Sequence, residues 1–487
     1  MTTFQVVFKR LRAARVMVCI ALLAVCAAPQ ASAQDSAPAL SADMVLQSSA
    51  AHFPAILESL ARREAAQGAV VAADGAFDLV FSADGFDRLS GTWNGGVVNT
   101  QLSQNLRALG GRVYGGYRVS DGAFPIYEDI NFTNTGGEAK IGALFSLLRD
   151  RAIDARRFNV ADTRLALRQA ELDVLLTKIG VQHKALLAYW RWVAAGRQLE
   201  IYEDLLRIAE EREAGLTEQV RRGARAAIFI TENRQNITRR QRLATQARRD
   251  FLTAANALSF YYRGADGAPL IPQEEQLPAL EDVDLVITPV TADQSVVAAM
   301  ANRPELGILK TALERARVSV ELSRNEMRPR FDLRAEVSRD FGAIAEGGSS
   351  RDSTDAIVGF RFSVPFQQRE ARGRLQSARA KLEAAKQERR RTEEQIELEI
   401  RNILINLTVS EELVRIAGQE VEQSETMQRA EQQRFASGAS DFFLVNVREE
   451  TAADARIRHL LAQLQIQMAQ ANFDAATVNL ERLGIGG

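Results

Sequence analysis

The sequence predicts an α+β membrane protein in which amphipathic strands feed two long α-helical hairpins, built as two tandem structural repeats. Three observations carry this. All eleven prolines avoid two stretches, residues 149–262 and 366–487. Segments of the second half alternate apolar and polar residues at period two. One order of motifs occurs twice along the chain.

The N-terminus is set aside first. Lys9, Arg10, Arg12 and Arg15 precede an apolar run over 16–28, and Ala31-Ser32-Ala33 offers small residues for cleavage. That pattern is a secretory signal peptide, residues 1–33. A membrane anchor would need about 20 apolar residues. Val25 before Cys26 does not match a lipoprotein cleavage box. Both cysteines, Cys19 and Cys26, fall in the removed segment. The expected mature chain has no cysteine for a disulfide or a thiolate metal site. Removing the four cations of the signal leaves 57 basic against 62 acidic residues, a net charge of about −5. Nothing in that balance points to nucleic acid.

The proline-free stretches are rich in Ala, Leu, Glu, Gln and Arg. Proline costs about 3 kcal/mol inside a helix, so such runs read as long helices. Leu375, Ala378, Leu382 and Ala385 recur at three- and four-residue spacing, and Leu165, Leu172 and Leu175 follow at seven and three, which also keeps one helix face. From strand to glycine turn each helix spans about 70 residues, roughly 105 Å. A tube across the periplasm needs that length, and runs beyond about 25 residues also indicate coiled coil.

The strands are clearest late in the chain. Phe331, Leu333, Ala335 and Val337 alternate with Asp332, Arg334, Glu336 and Ser338. Val358, Phe360, Phe362, Val364 and Phe366 alternate with Gly359, Arg361, Ser363 and Pro365. Period two puts one set on each face. A lone soluble hairpin is marginal in water. Apolar-out, polar-in strands suit a membrane β-barrel, with Phe331, Leu333, Val337, Phe360, Phe362 and Val364 toward lipid. In the first half, residues 77–81 and 141–147 are the matching strands. Residues 97–106 and 112–119 read either as an additional hairpin turning at Gly110-Gly111 or as a surface excursion without a membrane role.

The motifs that recur are specific in order more than in identity. Phe53-Pro54 and Arg303-Pro304 each open a helix. Ile141-Gly142-Ala143-Leu144-Phe145-Ser146 matches Val358-Gly359-Phe360-Arg361-Phe362-Ser363. Arg222-Gly223-Ala224 matches Ser437-Gly438-Ala439. The expected plan is a first repeat over 34–262 with its turn near 223, a Pro-rich connector over 263–295, and a second repeat over 296–487 with its turn near 438.

Together these features resemble the TolC-like outer-membrane factor family, over nearly the whole mature chain. Asn302-Arg303-Pro304-Glu305-Leu306 looks like the family's opening of a repeat, and Arg372-Gly373-Arg374-Leu375 like its strand-to-helix passage. The resemblance implies a homotrimer in the outer membrane of a Gram-negative bacterium. Three protomers would share one transmembrane β-barrel, continued by a long periplasmic α-helical barrel. Function would be a passive exit duct for tripartite efflux or type I secretion, with a periplasmic adaptor and an inner-membrane pump as partners. By resemblance the adaptor docks at the tips, Arg222, Gly223 and Ala224 with Ser437, Gly438 and Ala439. Glycines there also make the turn itself.

The family often carries acidic residues about two turns past the second tip glycine, at the pore constriction. Here Leu444 and Val447 occupy those places, and Phe229 does so in the first repeat. Asp441, Glu449 and Glu450 are the nearby acidic candidates, and Phe442 and Phe443 the apolar ones. No enzyme is expected. His52, His183 and His459 have no metal-ligand spacing, and no phosphate loop, GxSxG or dinucleotide motif is visible. No cofactor and no catalytic residue are assigned. A periplasmic adaptor also contains an α-helical hairpin, but only one, inside a lipoyl-like β domain. A structural coiled coil has no use for matched amphipathic strands.

Overall fold

The computed structural model describes residues 39–278, 291–345 and 351–486. The expected signal segment lies outside the described residues, as do 279–290 of the connector and 346–350 of the loop between the last two strands.

The first half opens with α1 (Ala42–His52) and α2 (Pro54–Asp74), which meet at Phe53-Pro54. Ser41 caps α1, accepting from the Met44 N–H at 3.2 Å. Pro54 stands in the first turn of α2, where its missing N–H breaks no helical bond. Four strands follow: β1 (Leu79–Phe86), β2 (Gly96–Asn105), β3 (Arg112–Asp121) and β4 (Glu138–Ser146). Then come α3 (Ala155–Arg221) and α4 (Ile228–Ser259). The second half has α5 (Ala292–Asn302), α6 (Pro304–Glu326), β5 (Arg330–Asp340), β6 (Thr354–Ser363), α7 (Arg369–Ala436) and α8 (Phe442–Thr477). Pro304 opens α6 as Pro54 opens α2.

Helices α3 and α7 run 67 and 68 residues. At 1.5 Å per residue each is about 100 Å long. The return helices are shorter, 32 residues in α4 and 36 in α8.

All six strands form one antiparallel sheet in chain order. Residues 97–106 and 112–119 are therefore a hairpin within the sheet, not an excursion from it. β4 pairs with β5, from Glu138 opposite Asp340 to Ser146 opposite Asp332, and this ladder joins the halves. Several strand boundaries differ from expectation, with β1 running on to Phe86 and β4 beginning at Glu138, and two of the differences have a plain physical cause. Phe77 leaves the strand and sits in a short 3-10 turn, buried against Ala73 and Val160 with the Arg107 guanidinium over its ring. β6 stops at Ser363, so Val364 and Phe366 are not strand residues. Pro365 has no N–H to give a ladder, which ends the pairing there.

The largest core lies far from the sheet, where α1, α3, α4 and the C-terminal segment meet. Trp192, Leu199, Leu46, Leu258 and Leu483 are fully buried there. Trp192 stacks near Phe251 at 6.3 Å, and the Tyr189 hydroxyl donates to the Leu40 carbonyl at 2.9 Å. Gln182 ties α3 to α1, donating to the Leu46 carbonyl at 2.9 Å and accepting from Ser49 at 2.6 Å. Both polar ends of a buried amide are thus satisfied.

Candidate functional site

The sheet sorts its side chains by face. Register carries the apolar set across all six strands: Phe81 (β1), Leu102 (β2), Val113 (β3), Ile141 (β4), Val337 (β5) and Val358 (β6). Phe331, Leu333, Phe360 and Phe362 lie on the same face, Phe331 opposite Phe362 and Leu333 opposite Phe360. Val358 is 75% exposed, Phe360 74%, Ile141 68% and Phe81 65%. A water-facing sheet would not expose a continuous apolar surface of this kind. Val364, expected on this face, stands one residue past the strand.

The opposite face is polar. It carries Arg112, Arg118, Glu138, Lys140, Arg334, Glu336 and Arg361. Arg334 pairs with Glu336 at 2.6 Å, and Arg118 pairs with Glu138. Ser146 donates to Asp332 at 2.8 Å across the β4–β5 ladder.

At the other end of the long helices, the two tips are built alike. Gly223 has φ +72° and Gly438 φ +78°. The Gly223 N–H donates to the Val220 carbonyl at 3.0 Å and the Ala224 N–H to Gln219 at 2.9 Å. The Gly438 N–H donates to Phe435 at 3.1 Å and the Ala439 N–H to Arg434 at 2.8 Å. Each is a Schellman ending, which needs a left-handed residue and hence favours glycine. Arg222, Gly223, Ala224, Ser437, Gly438 and Ala439 are all exposed.

Just behind the tips lies a contact absent from the sequence reading. Phe442 is fully buried, 6.1 Å from Phe229 and 6.0 Å from Phe435. The Arg225 guanidinium lies 4.2 Å over Phe435 and 5.6 Å over Phe229. This clasp fastens one hairpin to the other. Phe442 thus turns into its own chain, while its neighbour Phe443 is 65% exposed. Asp441 caps α8, accepting from the Leu444 N–H at 2.9 Å.

Further along α8 is a buried ion cluster. The side chains of Arg240 and Glu449 are both fully buried and meet at 3.0 Å. Arg212 also pairs with Glu449 and donates to Asn446 at 3.0 Å. Arg240 donates to the Leu205 carbonyl at 2.8 Å. Burial pulls the Arg240 pKa below the ordinary arginine value, and the Glu449 charge opposes that shift. Breaking such a pair leaves an uncompensated buried charge and costs about 3–5 kcal/mol. Glu450 pairs with Arg239 beside it. The cluster joins α3, α4 and α8.

Residues 296–478 match the outer membrane efflux protein family. The whole fold is similar to that of the outer-membrane channel OprN, at 14% identity over 90% of this chain and 89% of that one, with a TM-score of 0.60. It is similar to the outer membrane protein VceC of Vibrio cholerae at 14% identity over 90% and 95%, with a TM-score of 0.62. A membrane protein from Pseudomonas aeruginosa matches at 16% identity over 90% and 93%, with a TM-score of 0.63. None of the curated proteins matches in sequence. The matched family, OprN and VceC are all of the outer membrane, the location the sequence resemblance leads one to expect for this chain. Among the described residues no helix is long and apolar enough to cross a membrane, and no group of His, Cys, Asp or Glu side chains is placed to hold a metal.

Proposed function

We propose that three copies of this chain close into an outer-membrane exit duct for a tripartite efflux or type I secretion system. The sheet carries this reading. Its apolar face is exposed, and β1 and β6 are open edges. Lipid tolerates no open edge, so the sheet needs copies of itself on both sides. Three copies of six strands make a wall of eighteen. Barrels of about 16–18 strands leave an aqueous channel.

The helices support the same closure. On α7, Leu398, Ile405, Val409 and Ile416 are 62, 61, 50 and 47% exposed. Their spacing of seven, four and seven is that of a coiled-coil seam. Neighbouring copies would cover it and continue the barrel into the periplasm. The two halves act as tandem repeats, 34–262 and 296–487, separated by the connector 263–295. Their tips offer a docking surface to a periplasmic adaptor, and an inner-membrane pump supplies the energy. Near the tips the exposed Phe443 is the pore-facing candidate, while the clasp around Phe442 and the Glu449 cluster hold the hairpins together. A single-hairpin adaptor has no place for a six-stranded sheet with an apolar outer face.

The test is conductance. Purified protein in planar lipid bilayers is expected to give discrete steps. Silence from trimeric, membrane-inserted protein overturns the proposal.

A further inference from the structure

The polar face of the sheet is unevenly charged along its strands. At the end nearest the long helices stand Arg112, Arg330, Arg334 and Arg361, with Asp332 among them. At the far end stand Asp84, Glu138, Asp340 and Asp355, with Arg118 among them. Local pairing removes part of this charge. Arg330 pairs with Asp332 at 2.6 Å, Arg334 with Glu336 at 2.6 Å, and Arg118 with Glu138. Arg112 and Arg361 keep theirs. Both are exposed, and neither has an acidic partner within ion-pair distance among the described residues. Arg112 rests only over the Tyr114 ring, at 5.8 Å. Asp332, opposite Arg361 in the ladder, is buried and already bonded to Ser146 and Arg330.

Arg112 and Arg361 line one cavity of about 700 Å³ on this face, where six basic side chains outnumber the four acids Asp150, Asp154, Asp332 and Glu336. A guanidinium presents a planar fork that suits carboxylate and phosphate. We propose that Arg112 and Arg361 form a cationic girdle on the inner wall of the barrel, at its helix-side end, that draws anionic solutes into the duct. This rests on the channel reading above. Three copies would bring six unpaired guanidinium groups to one level of the wall. Field focused by a low-dielectric wall raises the local concentration of counter-ions, by about tenfold or more.

The experiment is the reversal potential in a KCl gradient across a bilayer, for wild type, Arg112→Gln/Arg361→Gln and Arg112→Lys/Arg361→Lys. The glutamine variant is expected to lower the chloride-to-potassium permeability ratio about threefold or more, with the loss shrinking at high salt as charges are screened. The lysine variant keeps the charge and is expected to keep the ratio. Neither arginine leaves a buried acid behind, so trimer yield is expected to hold in both. A conducting glutamine variant with the wild-type ratio overturns the girdle alone. If the glutamine trimers do not assemble, a lysine variant with a collapsed ratio also overturns it. A silent wild type overturns the channel reading and the girdle with it.

Discussion

Helices α3 and α7 have nearly the same length and the same glycine ending, yet they place their apolar residues differently. α3 is the strut of its own chain. Tyr189, Trp192, Val193 and Leu199 are buried against α1, α4 and the C-terminal segment. α7 shows its apolar stripe of Leu398, Ile405, Val409 and Ile416 to solvent. Equal length and equal turns therefore do not mean equal roles. The long helix of the first half spends these apolar residues on folding the chain, and that of the second keeps a row of them outward, the row we propose neighbouring copies cover. The sheet repeats this asymmetry, with four strands from the first half and two from the second.

The sharpest way to break that contrast is to cut one apolar side chain from each helix. Trp192→Ala is expected to destabilise the chain by about 3–5 kcal/mol, because its site cannot collapse around so large a loss. Ile405→Asp, on the exposed stripe, is expected to leave the fold of the single chain unchanged and to lower the yield of trimers. Thermal unfolding in detergent reads the first effect, and heat-modifiable gel mobility reads the second. Equal loss of chain stability in both variants would mean that the α7 stripe is packed by its own chain after all.

Legibility followed the same division. β5 and β6 could be read because their alternation is unbroken, and register then placed Leu333 opposite Phe360 as the pattern required. β3 was harder, since Gly115 and Gly116 leave no side chain to alternate. The tip glycines were legible because a helix ending of this kind needs a left-handed residue. The clasp and the ion cluster were not. Phe442 read as a pore residue from its place in the chain, but Phe229 and Phe435 arrive from other helices and bury it. Arg240 and Glu449 are 209 residues apart, and no local pattern pairs them. Trp192 gave no signal either, because a long helix with small residues does not say which turn meets a second layer.

A second test asks whether the extra hairpin of the first half is truly membrane wall. Leu102 of β2 and Val358 of β6 both lie inside ten-residue strands on the apolar face. Leu102→Arg and Val358→Arg are each expected to cost about 2–4 kcal/mol of insertion, the value for a cation near the bilayer midplane. Phe362→Arg, one residue from the end of β6, is expected to cost about 0–1 kcal/mol, as for a site near the interface. Assembly into liposomes, followed by heat-modifiable mobility, measures all three. If Leu102→Arg assembles normally while Val358→Arg does not, β2 and β3 stand outside the lipid.

The smallest effects are expected at the tips, where the two halves are most alike. A Cβ on Gly223 or Gly438 would meet nothing within 4 Å, so space is no obstacle to substitution. The backbone is the obstacle, since both glycines hold a positive φ that a β-branched residue resists. Gly223→Val and Gly438→Val are each expected to cost about 1–3 kcal/mol of local strain. That strain acts at a helix ending, away from the Trp192 core and the sheet, so trimer yield and conductance are expected to hold. Export in cells is expected to fall in both, because the exposed residues around each glycine would shift where an adaptor would dock. Ala439→Trp adds bulk at the second tip without touching the glycine and is expected to reduce export likewise. The measurement is export of a reporter cargo set against trimer yield for each variant. Loss in Gly438→Val alone would show that the matched tips are not matched docking sites, and normal export in all three would remove docking from the tips.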